Sequence, residues 1–313
     1  MSSITEKNIA RFCRQLLDQF RAGNIGFVDV GSGGELKAPW KLLPRERLTT
    51  FDFEPTHSGN GEYPLCISDK GGNAPFHVAR DPRASSLRQP LLDFIERFGL
   101  DSMLTKETIT VACVSLDDYF SDRYASVDAM DINVEGHDFQ VLQGASKLLA
   151  EGAVKLLKVE FELAPVYEGQ GYFSDIDAFL RARGFRLAHI QVEHARPAKV
   201  RHLYHEGESI WGKALYAPVQ VDLSTCPATS HGAEDRIAAR QRLASAIALY
   251  IAAKLPGYAY DVIEHGESTG VLSASEGQEI RRQLESVFRW AKLEVGLRQL
   301  SGLAHSALAH VFR

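Results

Sequence analysis

The sequence predicts an α/β fold: a doubly wound, mainly parallel sheet of about seven strands with a β-ribbon insertion, followed by an all-helical segment. Three observations carry this. Short β-branched runs alternate with helical periodicities from residue 25 to about 222, the pattern of parallel strands joined by helices. The first run leads directly into a glycine-rich turn, 31-GSGGEL-36, and the second ends on Glu54. Beyond residue 235 only helical spacing continues.

Composition narrows the function classes. The 313 residues suffice for one large or two modest domains. Apolar residues make up 45% and charged residues 24%, as in a soluble globular protein. A formal net charge of −5 argues against a broad basic surface, and so against a nucleic-acid partner. The four cysteines form no C-x-x-C pair, so reduced cytosolic thiols are expected rather than Cys-ligated zinc. The N-terminus lacks the apolar core of a signal peptide. The longest apolar run, 243–255, is too short for a membrane-spanning helix. A cytoplasmic protein without a transmembrane segment is the expectation.

Residues 4–22 place Ile9, Phe12, Leu16, Leu17 and Phe20 on one helical face, and Gly23-Asn24 ends that helix. The run 25–30 has no polar residue before Asp29, which predicts a buried parallel strand. Glycines directly after it let the backbone turn sharply and approach a ligand. Residues 40–43 read as a short helix between Pro39 and Pro44. The second strand, 48–54, puts Glu54 23 positions after Gly31. An acid at about that distance accepts hydrogen bonds from ribose hydroxyls in nucleotide-binding βαβ units, which points to a nucleoside-type ligand.

A third strand is expected at 63–69. The β-like runs 74–80 and 108–116 flank a helical segment at 90–98 and read as the inserted ribbon, with Ser85-Ser86-Leu87 in a polar loop between them. Asp117-Asp118 can cap the next helix. The stretch 127–145 then forms a buried strand that ends in Asn133, Glu135, Gly136, His137 and Asp138 and turns into a helix. Open α/β sheets place ligands outside the carboxyl ends of such strands. A further strand at 154–162 ends with Glu160 and Glu162, a helix at 174–183 starts at Ser174, and 185–194 with 214–221 closes the sheet. This predicts one domain over 1–222, a linker at 223–234, and a helical domain over 235–313. The helical domain comprises helices at 235–255, 258–266 and 273–299 and a short piece at 302–312. It is expected to serve acceptor recognition or homo-oligomer formation.

From about Ile25 to Val219 the chain resembles the FkbM-type S-adenosylmethionine-dependent methyltransferases. The motifs that carry the resemblance are Val28-Asp29-Val30-Gly31, Phe53-Glu54-Pro55, Ile67-Ser68-Asp69-Lys70-Gly71, the Ser85-Ser86-Leu87 loop and Val114-Ser115-Leu116-Asp117-Asp118. The most specific is Val134-Glu135-Gly136-His137-Asp138 with Val141-Leu142-Gln143-Gly144-Ala145, extended by Glu160 and Tyr167-Glu168-Gly169-Gln170. The resemblance implies a Rossmann-like class I methyltransferase sheet and S-adenosylmethionine as cofactor. It also implies O-methylation of a sugar in a glycan or of a natural-product hydroxyl. Its implied cofactor residues are Asp29, Gly31, Ser32 and Gly33 toward the methionine part, Glu54 at the ribose, and Ser68 and Asp69 near the adenine. Asn133, Glu135 and His137 would face the methionine end and the acceptor.

Two positions depart from the family pattern Lys-Ile-Asp, since Asp131, Ile132 and Asn133 stand there. Asn133 orients by hydrogen bonds but cannot take a proton at neutral pH. Proton removal then falls to His137, whose ordinary pKa lies nearest working pH, or to Glu135 or Asp131. Altered activity is the other reading. Asp131, Glu135 and Glu160 could gather around a divalent ion, but no fixed ligand spacing supports one, so no metal is expected. An NAD(P)-dependent oxidoreductase would use the same turn and acid. Leu36 at the third glycine position and the absence of Tyr-x-x-x-Lys after the fourth strand oppose it. A non-catalytic binding protein acting through residues 235–313 is the third reading, kept open by Asn133.

Overall fold

The computed structural model describes residues 3–31, 33, 36–55, 65–123, 126–204, 206–223 and 233–289. Two compact units emerge. One combines 1–23, 37–47 and 223–313, and the other combines 24–36 and 48–222.

The second unit holds the sheet. Six strands run in the order β2-β1-β6-β7-β9-β8: β1 (Ile25–Val30), β2 (Leu48–Phe53), β6 (Ala129–Ile132), β7 (Leu156–Glu162), β8 (Phe185–Ala195) and β9 (Glu208–Pro218). The first four are mutually parallel, and β9 pairs antiparallel with β7 and β8. The doubly wound class therefore stands, with six strands in the main sheet rather than about seven. The expected third strand is reduced to β3 (Cys66–Ile67), and it pairs with the ribbon instead. That ribbon, β4 (Gly72–Ala79) antiparallel to β5 (Thr105–Val114), completes a separate three-stranded sheet in the order β3-β5-β4.

Side-chain alternation divides the main sheet sharply. Val28, Val30, Phe51, Phe53, Met130, Ile132, Leu157 and Val159 belong to one buried cluster. Against it pack α3 (Leu116–Phe120), α4 (Asp138–Gln143), α5 (Ser146–Ala150) and α6 (Phe173–Arg181), through Tyr119, Val141, Leu149 and Ile176. The intervening positions face the other way. There Asp52, Asp29, Asp131 and Lys158 stand side by side in register, and Lys158 Nζ bonds Asp131 Oδ2 at 2.8 Å. A short helix, α2 (Leu92–Phe98), follows the ribbon's first strand and builds a satellite core with Met103, Val166 and Tyr167.

Helix starts differ from expectation. Ser115 caps α3 by accepting the Asp118 N–H at 3.0 Å. Asp117 instead accepts the N–H groups of Lys147 and Leu148 and so closes the start of α5. Tyr172 caps α6, with its N–H donated to Asp175, so the cap lies two residues before Ser174 and the helix begins at Phe173. At the closed end of the sheet, Lys155 and Asp128 form a buried ion pair, and Asp128 also accepts the Gly26 N–H.

The other unit is helical. It contains α1 (Ser3–Gln19), α7 (Ala233–Ala252), α8 (Pro256–Ser268) and α9 over 274–289. The amphipathic face of α1 packs on α7, and the Cys13 thiol donates to Ala248 O. The N-terminal helix thus groups with the C-terminal helices, which differs from the sequence partition at 222. Residues 40–43 form only a 3-10 turn, Trp40–Leu42, because flanking prolines leave no room for a second turn, and another 3-10 turn, Arg45–Arg47, follows Pro44. Ser273 and Glu276 form the expected capping box at α9. The 224–232 linker, the end of α9 and the 302–312 piece lie outside the described residues. Among the described residues no helix is long and apolar enough to cross a membrane.

Candidate active site

The order of the strands reverses between β1 and β6, and the carboxyl ends of these two parallel strands lie side by side there. The Asn133 N–H donates to Val30 O at 3.0 Å, and the Gly31 N–H donates to Phe53 O at 3.0 Å. Gly31 has φ +80°, and a Cβ on it would lie 2.0 Å from Asn133 O. Only glycine allows this approach. Gly33 also turns with positive φ, +56°. Ser32 lies outside the described residues. Asp29 is buried at the strand end, between Asp52 and Asp131. Glu54 follows β2 close to Cys66, whose thiol is pushed up by its hydrogen bond to Cys113, by burial and by the Cys113 and Glu54 charges. Cys13, Cys66 and Cys113 are free thiols, and Cys226 lies outside the described residues.

After β6 the chain makes a tight turn through Glu135 and Gly136, at φ +55° and +84°. A glutamate in the left-handed region is strained, and such strain persists only where surroundings impose it. Three contacts do so here. The fully buried Asp138 carboxylate accepts the N–H groups of Val134 and Gly136 at 3.1 and 3.2 Å. Ser86 Oγ donates to Glu135 O at 2.6 Å. The Tyr167 hydroxyl donates to Glu135 Oε2 at 2.8 Å, and the Tyr167 ring fills the space that a side chain on Gly136 would need.

Beside this turn, Glu160 and Glu162 project from the same face of β7. Burial, with the Glu135 charge next, raises Glu160 well above the usual carboxylate range and Glu162 to about 8. Burial and the charges of Glu162 and Glu160 raise Asp138 likewise. Lys213 Nζ lies 3.7 Å from Glu160. Of the acids Asp131, Glu135 and Glu160, the first is ion-paired to Lys158 and the second accepts the Tyr167 hydroxyl.

His137 is buried, at 8% exposure. Its Nε2 lies 2.9 Å from Ser68 Oγ, which donates onward to Asp69 Oδ1 at 3.0 Å. With the hydroxyl proton directed at Asp69, Nε2 is the donor and Nδ1 an acceptor. Nδ1 is buried and has no partner, as is Asn133 Oδ1. Burial and the nearby Arg88 charge lower the imidazole to about 4. The expectation of His137 as general base rested on an ordinary imidazole pKa, and burial removes that premise. The structure thus brings Gly31 to Asn133, and Ser68 and Asp69 to His137. Glu135 joins Tyr167, Glu162 and Ser86, none of which carried a predicted role. Alternation on β7 could have flagged Glu162, since it shares a face with Glu160. Tyr167 lies 32 residues from its partner and gave no local signal.

Residues 39–187 match the model of the methyltransferase FkbM domain. The match includes the turn at 133–138, the Ser86 loop and Tyr167, and begins after the glycine turn. Similar chains of known structure include methyltransferase FkbM from Methylobacillus flagellatus KT, at 10% identity and TM-score 0.34, covering 62% of this chain and 43% of that one. Another is magnesium protoporphyrin IX methyltransferase from Synechocystis PCC 6803 with bound SAM, at 13% identity and TM-score 0.31, covering 68% and 79%. The chain thus spans less than half the length of the first. No curated protein matches it significantly.

Proposed function

We propose that this chain, whose residues 39–187 match the model of the methyltransferase FkbM domain, is an S-adenosylmethionine-dependent O-methyltransferase acting on a hydroxyl of a sugar, glycan or natural product. The observation that carries the reading is the strained turn at Glu135-Gly136, set where β1 and β6 part and held by Asp138, Ser86 and Tyr167.

The residues present fit the cofactor. Gly31 lets the turn after β1 lie directly against the Asn133 backbone, and the unpartnered Asn133 Oδ1 and His137 Nδ1 are acceptors suited to an ammonium group. Asp29, Gly31, Ser32 and Gly33 would hold the amino-acid end together with Asn133 and His137. Glu54 would hold the ribose, and Ser68 with Asp69 the adenine. When bound, the cofactor supplies a methyl group on a sulfonium centre.

The chain's own residues orient the acceptor and remove its proton. Glu135 is the proton acceptor. Its charge helps to hold Glu160, Glu162 and Tyr167 in their protonated forms, and the Tyr167 hydroxyl fixes its Oε2. Neighbouring acids whose proton affinities are pushed apart mark a division into acid and base roles. His137 stays neutral and positions, through Ser68, the Asp69 carboxylate.

The reading is tested calorimetrically with S-adenosylhomocysteine and, separately, NAD. Heat with the former alone is expected. Heat only with NAD would replace the reading with an oxidoreductase. Binding of the homocysteine product without methyl transfer to any glycan extract, followed by mass spectrometry, would favour a non-catalytic binding protein.

A further inference from the structure

Arg88 stands outside the roles assigned above. It follows the Ser86 loop, and its backbone N–H donates to Ser86 Oγ at 2.9 Å. Because Ser86 also bonds Glu135 O, the position of Arg88 is tied to the turn that carries Glu135. The chain after it is stitched to the loop beyond β7. The Glu168 N–H donates to Gln89 O, and the Leu91 N–H to Val166 O, both at 2.9 Å. The guanidinium lies between these two loops. Gly169, at φ +60°, leaves it room, since a Cβ there would stand 2.9 Å from Arg88 Nη1.

Its polar partners are incomplete. Nη1 reaches Glu168 O only at 3.4 Å, and Nε is buried without a partner. Burial lowers the guanidinium pKa against the pull of Asp69. An unpaired buried donor is destabilising unless a ligand completes it. A guanidinium edge matches one class best, a planar carboxylate held by two parallel bonds.

We propose that Arg88 binds a carboxylate of the acceptor, so that the methylated molecule is a sugar acid or a comparable hydroxy acid. The acceptor assignment rests on the methyltransferase reading; the carboxylate site does not. The amino-acid end of the cofactor carries the same group, and the experiment separates the two sources.

Wild-type protein and Arg88→Gln are titrated calorimetrically with D-glucuronate, D-glucose, S-adenosylhomocysteine and 5′-methylthioadenosine, which lacks a carboxylate. Glucuronate binding that exceeds glucose binding and falls about tenfold or more in the variant is expected, with S-adenosylhomocysteine unchanged. Weakened S-adenosylhomocysteine with unchanged methylthioadenosine would assign the carboxylate to the cofactor and overturn the acceptor claim. No change with any probe would overturn the site. A wild type that ignores S-adenosylhomocysteine would refute the methyltransferase reading, while the glucuronate arm, run on the protein alone, still decides Arg88. Arg88→Lys, which keeps the charge but loses the fork, should bind glucuronate with intermediate affinity, and it carries the comparison if the glutamine variant does not fold.

Discussion

Gly136→Ala is the sharpest probe of the strained turn. Gly136 sits at φ +84°, and a Cβ there would lie 2.4 Å from Tyr167 Cδ2 and 2.8 Å from Cγ. Two costs follow. An L-residue in the left-handed region costs about 1–2 kcal/mol. Forcing a methyl into a buried ring, 3% exposed, costs about 1–3 kcal/mol more. A loss of about 2–5 kcal/mol is a large share of the stability of a domain. Relief of the clash requires the ring to move, which draws the Tyr167 hydroxyl away from Glu135 Oε2. Urea unfolding and methyl transfer should therefore both suffer. A double-mutant cycle with Tyr167→Ala separates the causes, because the ring clash vanishes in the double variant while the backbone strain persists. Stability within about 0.5 kcal/mol of wild type, or strict additivity in the cycle, would refute the packing of Tyr167 on Gly136.

Two further outcomes follow from the same structure. Glu162 titrates near 8 rather than the ordinary 4.5, so the folded protein keeps a proton that the unfolded chain releases between those values. Its contribution to stability therefore falls as pH rises from about 4.5 to about 8. Glu162→Gln should flatten that slope and be the more stable protein at pH 9, which chemical unfolding at several pH values would show; parallel curves would contradict it. Asp117→Ala removes the acceptor for two N–H groups at the start of α5 and should cost about 1–2 kcal/mol in the urea midpoint at unchanged slope. Asp118→Ala should cost less, because Asp118 receives only the Ser115 hydroxyl and lies exposed.

The strands of the main sheet were legible because each is a short β-branched run bounded by turn residues, and parallel burial leaves little room for other readings. The expected third strand was not legible as to sheet. The run around Cys66 looks the same whether it extends the main sheet or pairs with β5, and only the neighbouring chain decides. Helix starts misled for a related reason. Several acids stand near each start, and which of them reaches a free N–H depends on where the loop points. Asp117 serves a helix 30 residues downstream. The grouping of α1 with α7 was hidden because an amphipathic face states that it must be covered and not by what. In the site, strand-end positions and glycine needs were readable from spacing. The left-handed Glu135, its Tyr167 partner and the buried Arg88 Nε were not, since each depends on contacts made across loops far apart in sequence.

Asn133, the departure that unsettled the sequence reading, acquires a physical rationale from its neighbours. It follows β6 with the same parity as Asp131, whose face already carries Asp29 and Asp52. Burial pushes Glu160, Glu162 and Asp138 toward their protonated forms, helped by the Glu135 charge at the two glutamates and by their charges at Asp138. An aspartate at 133 would add a fourth acid to that set, and like charges in a buried space cannot all ionise. Protonated, it would accept no proton and so offer nothing that the amide lacks. Asparagine keeps a buried hydrogen-bond acceptor, Oδ1, without the charge. Glu135 differs from these acids by having a hydroxyl donor, Tyr167, fixed on its carboxylate. On the proposed assignment, losing the acid at 133 therefore leaves the capacity for proton removal in place, on the residue whose backbone the fold holds under strain.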